Sequence, residues 1–320
     1  MRLITRSDFD GLACAVLLKE AEVIDDWLFV HPKDVQDGCV PVTANDVLTN
    51  VPYAPGCGMW FDHHSSEDER LGLPVTFKGA CRPAPSCARV IYEFYGGASR
   101  FPRLTETGLL AAVDKADSAQ FTADEILNPR GWVLLSFIMD PRTGLGRYHD
   151  YRMSNYQLMG YMIEYCRTMR VEQILRLPDV QERVMRYLEQ EGPFRQMLRE
   201  HATMQESVVV LDLRGLDEIK PGNRFTIYSL FPEANVSVQI FDGKGKQNTV
   251  LACGHSILNR TCTADIGSLM LRYGGGGHRT VGTCQVAHED AQGVLTEVVA
   301  VLNARGEGSE PHPRGAVTVA

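Results

Sequence analysis

Four short stretches of the chain carry the residue types that metal-assisted chemistry on phosphate esters needs. They are Asp8-Phe9-Asp10-Gly11, Asp62-His63-His64, Asp114-x-x-Asp117, and Gly274 to Gly277 followed by His278-Arg279. Hydrolysis of a phosphoester requires neutralised charge on the non-bridging oxygens and a water made nucleophilic near neutral pH, and two divalent ions about 3.5 to 4 Å apart supply both. Carboxylates bridge and neutralise such ions, while imidazoles favour manganese over the harder magnesium. Consecutive glycines let backbone come close to a ligand and aim several N–H groups at one anion. Each stretch also has a bland reading. Asp after a strand is often an N-cap, an acidic i,i+3 pair is usually a solvated face, adjacent histidines occur on surfaces, and polyglycine makes flexible turns. Four such stretches in one chain leave the bland readings a small share.

The elements around them suit the chemistry. Short apolar runs alternate with helical patterns through the first 150 residues, which predicts βαβ units and a mostly parallel sheet. Strands are expected at Leu3 to Thr5, Trp27 to Val30, Val47 to Thr49 and Gly58 to Phe61, and helices at Leu12 to Glu22, Ser86 to Tyr95 and Glu106 to Val113. Asp8 and Asp10 then follow one strand and Asp62-His63-His64 another, at the carboxyl ends where open α/β sheets place ligands. From Asn155 to about Gln205 the pattern is helical, with breaks expected at Pro178 and at Gly192-Pro193. After Ser207 the texture is β-rich, at Val208 to Leu213, Phe225 to Leu230, Val236 to Phe241 and Val250 to Gly254. Asp265 to Tyr273 is read as helical, leading into the glycines.

Composition narrows the function. The 320 residues hold 40 acidic and 32 basic side chains for a net charge of −8, with no basic run able to track a long phosphate backbone, so long duplex nucleic acid is excluded as a partner. Nine cysteines with no C-x-x-C pair fit reduced thiols rather than a disulfide framework. No signal-peptide pattern and no membrane-length apolar stretch appears, so the reading is a cytoplasmic protein with no membrane partner.

The strand-DFDG-helix, Phe61-Asp62-His63-His64, Val113-Asp114-Lys115-Ala116-Asp117 and Gly274-Gly275-Gly276-Gly277-His278 segments together resemble the DHH phosphoesterase superfamily with its DHH-associated C-terminal domain. The resemblance runs from residue 1 to about 305 and takes in RecJ-type exonucleases, nanoRNases, cyclic dinucleotide phosphodiesterases and exopolyphosphatase-related proteins. It implies an α/β chain with a parallel-sheet DHH domain at 1–185, a helical linker at 186–207 and a smaller mixed α/β substrate-binding domain at 208–305, while residues 306–320, which carry Gly, Pro, Ser and Glu with few large apolar groups, read as a disordered tail. It implies two Mn²⁺ ions, with Mg²⁺ or Co²⁺ as substitutes, held by Asp8, Asp10, Asp62, His63 and Asp117. Where many relatives have a histidine before the first Asp pair, this chain has Ile4-Thr5-Arg6-Ser7. Where they end the preceding strand in Asp, it has Asn50, able to ligate through its carbonyl but uncharged; Asp46 is the fallback, at the opposite rim.

The implied reaction is cleavage of short oligonucleotides or dinucleotides in an interdomain cleft by a hydroxide activated by two metals. Asp10, Asp62 and His64 take catalytic roles, His64 as orienting group or leaving-group assistant rather than direct ligand. Arg260, Gly275, Gly276, Gly277, His278 and Arg279 are expected to hold the substrate, with Ser256 and Asn259 facing the glycines and His255 open between ligand and packing roles. The alternatives are an exopolyphosphatase-like phosphoanhydride hydrolase and a catalytically weakened nucleotide-binding sensor. A homodimer is left open.

Overall fold

The computed structural model describes residues 1–64 and 76–304, and the tail expected at 306–320 lies outside them. The chain divides into two compact units, one of residues 1–192 with 221–224 and the other of 193–220 with 225–320.

The first unit is built on a five-stranded parallel sheet of β1 (Arg2–Arg6), β2 (Asp26–Val30), β3 (Asp46–Thr49), β4 (Met59–Asp62) and β5 (Gly79–Cys81), in the spatial order β2-β1-β3-β4-β5. Leu3, Ile4, Val47, Leu48, Trp60 and Phe61 are all buried, as expected for strands covered on both faces. Thr5, Thr49 and Phe61 stand in one row across β1, β3 and β4, so the residues that leave these strands emerge side by side at one rim. A buried hydroxyl pair, Thr49 Oγ1 to Thr5 Oγ1 at 2.8 Å, ties β1 to β3 just below that rim.

The helix Phe9–Glu20 starts within three residues of β1 and is buried from Phe9 through Leu18. Gly11 makes this tight turn feasible: a Cβ there would lie 1.9 Å from the Arg6 carbonyl oxygen. Gly11→Ala should therefore displace the turn that carries Asp8 and Asp10 and destabilise the protein by about 1–3 kcal/mol, the usual cost of overpacking. A thermal melt checks this, and an unchanged midpoint would mean that the turn has slack. The Trp60 indole donates to the Val51 carbonyl at 3.0 Å and its ring packs edge-on against Phe77 and Tyr53, fixing the loop that follows Asn50.

Helices expected at 155–205 are present as Asn155–Thr168, Val171–Ile174 and Pro178–His201. The last runs through Gly192-Pro193 without the expected break, with Pro193 inside it, and residues Ala202–Gln205, expected as the end of a helical linker, form β6 instead. Val180, Tyr187, Phe194 and Leu198 are buried along this helix, and packing outweighs the roughly 3 kcal/mol that an interior proline costs.

The second unit holds a six-stranded mixed sheet in the order β10-β11-β9-β8-β7-β6, with β7 Val208–Asp212, β8 Val236–Asp242, β9 Thr249–His255, β10 Gly276–His278 and β11 Val281–Val286. Its core joins Val208, Val236, Val238, Ile240 and Leu251 to Ile266 and Met270 of the helix Ile266–Leu271 and to Leu295 and Val298 of Ala291–Ala304. The β-rich reading of Phe225 to Leu230 is corrected: Thr226–Leu230 is a helix. Its β-branched and aromatic residues favour strands only weakly, and a short apolar run does not distinguish a strand from a buried helical turn. All nine cysteines are free, and no helix among the described residues is long and apolar enough to cross a membrane.

Candidate metal centre

At the rim where β1, β3 and β4 end, two groups of ligating atoms lie within 4.8 Å of one another: Asp62 with His63 and His64, and Asp10 with His63 and Asp117. His63 belongs to both.

Asp10 is held chiefly by backbone amides, with the Cys14 thiol a longer donor to Oδ1 at 3.9 Å. Its two carboxylate oxygens accept from the Cys87 and Ala88 amides, each at 2.9 Å, at the start of the helix Cys87–Phe94. That helix is capped by Ser86, whose hydroxyl also donates to Asp114 at 2.7 Å. Asp114, the other acid of the i,i+3 pair, is paired with Arg89 through Nε at 3.0 Å and is thereby occupied as a structural tie, whereas Asp117 faces the ligand groups. Burial, joined by the charges of Asp117 and Asp8, pushes Asp10 well above the usual carboxylate range against the pull of its two amide bonds. Asp117 is raised too, by lost solvation first and by Asp8, while His63 pulls it down. Carboxylates crowded in this way call for positive charge between them.

The His63 ring is set by Nδ1 against the Ala84 carbonyl at 3.1 Å. Donation there leaves the lone pair on Nε2, which stands 3.3 Å from Asp117 Oδ2 and 3.8 Å from Asp10 Oδ2, buried and without a hydrogen bond. Asp62 Oδ1 accepts from the His63 amide and from His64 Nδ1, both at 2.7 Å, and this contact raises the His64 pKa.

Asn50 follows β3 in the left-handed region, at φ +53, which Asn tolerates better than most residues. Its Nδ2 donates to Asp8 Oδ1 at 3.3 Å, and its Oδ1 is buried without a partner. Two orphaned atoms, an imidazole nitrogen and an amide oxygen, beside crowded carboxylates fit a divalent cation, whose ligands at near 2.1 Å would stand about 3 Å apart. Asp8 is more committed than the motif suggests. Its Oδ1 caps the helix through the Gly11 amide at 2.9 Å and its Oδ2 pairs with Arg6 Nε at 2.9 Å. Asp46 is bound to Arg2 Nε at 2.7 Å and to the Thr43 amide at 2.6 Å, at the far end of β3.

Two basic groups at this rim have no motif to announce them. Arg142 donates through Nε to Asp140 Oδ1 at 2.8 Å and lies within electrostatic reach of Asp8 and Asp117. Arg224 pairs with the same Asp140 at 3.5 Å. The sequence signal for Arg142 is the Asp140-Pro141-Arg142 turn after an apolar helix, which reads as an ordinary cap, and Arg224 has no local signal.

The expected substrate-holding residues belong to the second unit. The glycine run is not a free loop, because Gly276–His278 is edge strand β10, paired antiparallel with β11. A Cβ at Gly275 or Gly277 would lie 2.1 or 2.2 Å from the carbonyl oxygens of Thr283 or Val281, so both glycines permit close strand approach, while Gly276 is open on that side. His278 and Arg279 are exposed. Arg260 Nε donates to the Ile257 carbonyl at 3.0 Å, and Ser256 Oγ accepts from the amides of Leu258 and Asn259. His255, open between two roles in the sequence, bonds through Nε2 to the Ala264 carbonyl at 2.9 Å and has its pKa lowered by burial, a packing role.

No family model and no curated protein matches the chain. Among solved structures it is similar to a pGpG-specific phosphodiesterase, PggH, from Vibrio cholerae, at 48% identity over 95% of this chain and 99% of that one, with a TM-score of 0.83. The DHH domain of a protein described as a member of a family of ribosomal proteins is 14% identical over 94% of this chain and 86% of its own, at a TM-score of 0.59. RecJ from Thermus thermophilus, in complex with Mn²⁺, is 14% identical over 95% of this chain and 52% of its own, at 0.50. The last two likenesses concern the fold.

Proposed function

The chain belongs to the DHH phosphoesterase family, and from that premise we propose that it is a metal-dependent phosphodiesterase acting on dinucleotides and other short oligonucleotides. The observation that carries the reading is His63 shared between two ligand groups, with its Nε2 buried and unbonded beside Asp10 and Asp117, and with Asn50, whose amide bonds Asp8, keeping its Oδ1 buried and unbonded. A 48% identical relative described as specific for pGpG supports a guanine dinucleotide as the first substrate to try.

Asp10, Asp62, His63 and Asp117, with Asn50 through Oδ1 and Asp8 at the edge, would hold two divalent ions, Mn²⁺ suiting the imidazole. Such ions, when bound, neutralise phosphate oxygens and make water nucleophilic near neutral pH. The protein's own groups do the rest. Asp10 stays fixed by the Cys87 and Ala88 amides, and the Ala84 carbonyl keeps His63 in the tautomer that can ligate. His64, whose pKa is raised by its bond to Asp62, is the group that would pass a proton to the leaving oxygen. Arg142, steadied by Asp140, is placed to neutralise a non-bridging oxygen. Arg260, His278 and Arg279 remain as groups that would hold the distal part of the substrate.

The test is kcat/KM with Mn²⁺ against substrate length, from the dinucleotide to a 20-mer and polyphosphate, at two salt concentrations. A net charge of −8 and few basic side chains near the metal ligands should make the dinucleotide best. Long chains should be slower by roughly tenfold or more, the lower end of what a local field does to encounter rates. A rate that climbs with length, or a salt dependence worth many phosphates, would favour the polyphosphate or processive-nuclease reading instead.

A further inference from the structure

Beside the ligand groups the first unit carries a cavity of about 270 Å³ with a largely apolar lining. Leu135, Ile138 and Met139, from the helix Gly131–Met139, line one part and Met159 and Met162, from Asn155–Thr168, another. Ser7 and Asp140 also line it. Ser7 lies in the chain between Arg6 and Asp8, which pair at 2.9 Å, and Asp140 is the carboxylate that holds Arg142 near Asp8 and Asp117. The cavity therefore opens beside the place where a phosphate would sit.

Its size and chemistry narrow the occupant. An apolar cavity of about 150 Å³ accepts benzene, so this larger one accepts a two-ring heterocycle. Methionine thioethers and flat aliphatic surface suit the face of an aromatic ring. Polar groups are few and placed at the wall. Arg183, buried to 3% exposure, donates to Asn155 Oδ1 from Nε at 3.2 Å and from Nη2 at 3.0 Å. With its oxygen turned to Arg183, the Asn155 amide carries its NH₂ on the other side, and that nitrogen lies 3.8 Å from where a Cβ on Gly146, another lining residue, would be. An NH₂ at the wall can donate to N7 or O6 of a purine, as amide side chains do when they read bases.

We infer that this cavity holds a purine base of the nucleotide whose phosphodiester is cut, with Asn155 donating to its acceptor edge. The inference rests on the phosphodiesterase reading and adds to it the place where a base is bound and what selects it.

Gly146→Leu fills the cavity with little risk to the fold. Gly146 is exposed, has no left-handed φ, and its Cβ would touch only the Asn155 amide. Asn155→Asp removes the NH₂ and keeps an acceptor for Arg183. Both variants and the unaltered full chain are compared, with Mn²⁺, on pGpG and on its two analogues lacking one or the other base. Turnover and calorimetric binding are read separately. For pGpG, Gly146→Leu should weaken binding and raise KM by roughly 10- to 200-fold, the range over which a pocket discriminates by shape, with kcat little changed. One of the abasic analogues should bind both proteins alike. Asn155→Asp should lose affinity for pGpG, and not for that analogue. Equal losses on every ligand, or none on any, would overturn the inference. If the unaltered protein binds pGpG better than both analogues yet cleaves none of them, the phosphodiesterase reading fails while the cavity assignment stands.

Discussion

Asp62→Asn should lower kcat/KM on a dinucleotide by about three orders of magnitude while leaving the circular dichroism spectrum and the thermal midpoint of the metal-free protein close to those of the parent. The size follows from the work assigned to the ions: charge stabilisation worth several kcal/mol in the transition state, at about 1.36 kcal/mol per tenfold. The selectivity of the effect follows from the contacts. Asp62 ends β4, and its Oδ1 accepts from the His63 amide and from His64 Nδ1. An asparagine oxygen can accept both, so the strand end keeps its shape. What goes is the negative charge, and with it the affinity for a cation and the rise in the His64 pKa. His63→Ala should match it in rate, because Nε2 is common to both ligand groups. Retention of most turnover in either variant, or an unfolded Asp62→Asn protein, would remove the assignment of these residues as ligands.

The strand ends at this rim are legible in the sequence because the parallel sheet leaves little freedom. Three short apolar runs, two followed at once by Asn50 or Asp62 and the first followed within three residues by Asp8, can only present those residues together when the strands run the same way, and the row Thr5, Thr49, Phe61 is that arrangement. What is not legible comes from groups that carry no local signature. The amides that hold Asp10 belong to Cys87 and Ala88, 77 and 78 residues away, and backbone N–H groups at a helix start are invisible in residue types. Arg142 and Asp140 form a pair two residues apart, which in sequence is indistinguishable from a surface turn. The glycine run misleads in a different way. Its composition suggests a loop, but strand pairing requires the missing Cβ atoms at Gly275 and Gly277, so one signal serves two structures. At Pro193 local propensity points to a break, and buried side chains on the same helix outweigh it.

The second large effect concerns the cation itself. Mn²⁺ at a hundredfold excess over its dissociation constant should stabilise the protein by about 2.7 kcal/mol, through binding to the folded state alone. For a unit of roughly 150 to 250 residues each kcal/mol is worth about 2 to 4 °C, so the melting midpoint should rise by about 5 to 11 °C, and chelation should reverse it. Asp10→Asn separates the two contributions. In the metal-free protein Asp10 sits buried near Asp117 and Asp8, and both burial and these charges oppose its ionisation. An amide removes that repulsion while its oxygen can still accept from one of the two amides at 2.9 Å. The other acceptor is lost, a cost of about 1 to 3 kcal/mol for an unpaired buried donor. Relief of charge and loss of one bond thus oppose each other, and the metal-free midpoint of the variant should stay within a few degrees of the parent. Its response to Mn²⁺ should not. With one carboxylate gone from the group that includes His63 and Asp117, the added ion should produce little of the rise of about 5 to 11 °C, and dinucleotide turnover should fall as far as in Asp62→Asn. A variant that melts like the parent, yet still gains the full shift, would place the cation away from Asp10 and leave that carboxylate a purely structural anchor for the helix Cys87–Phe94.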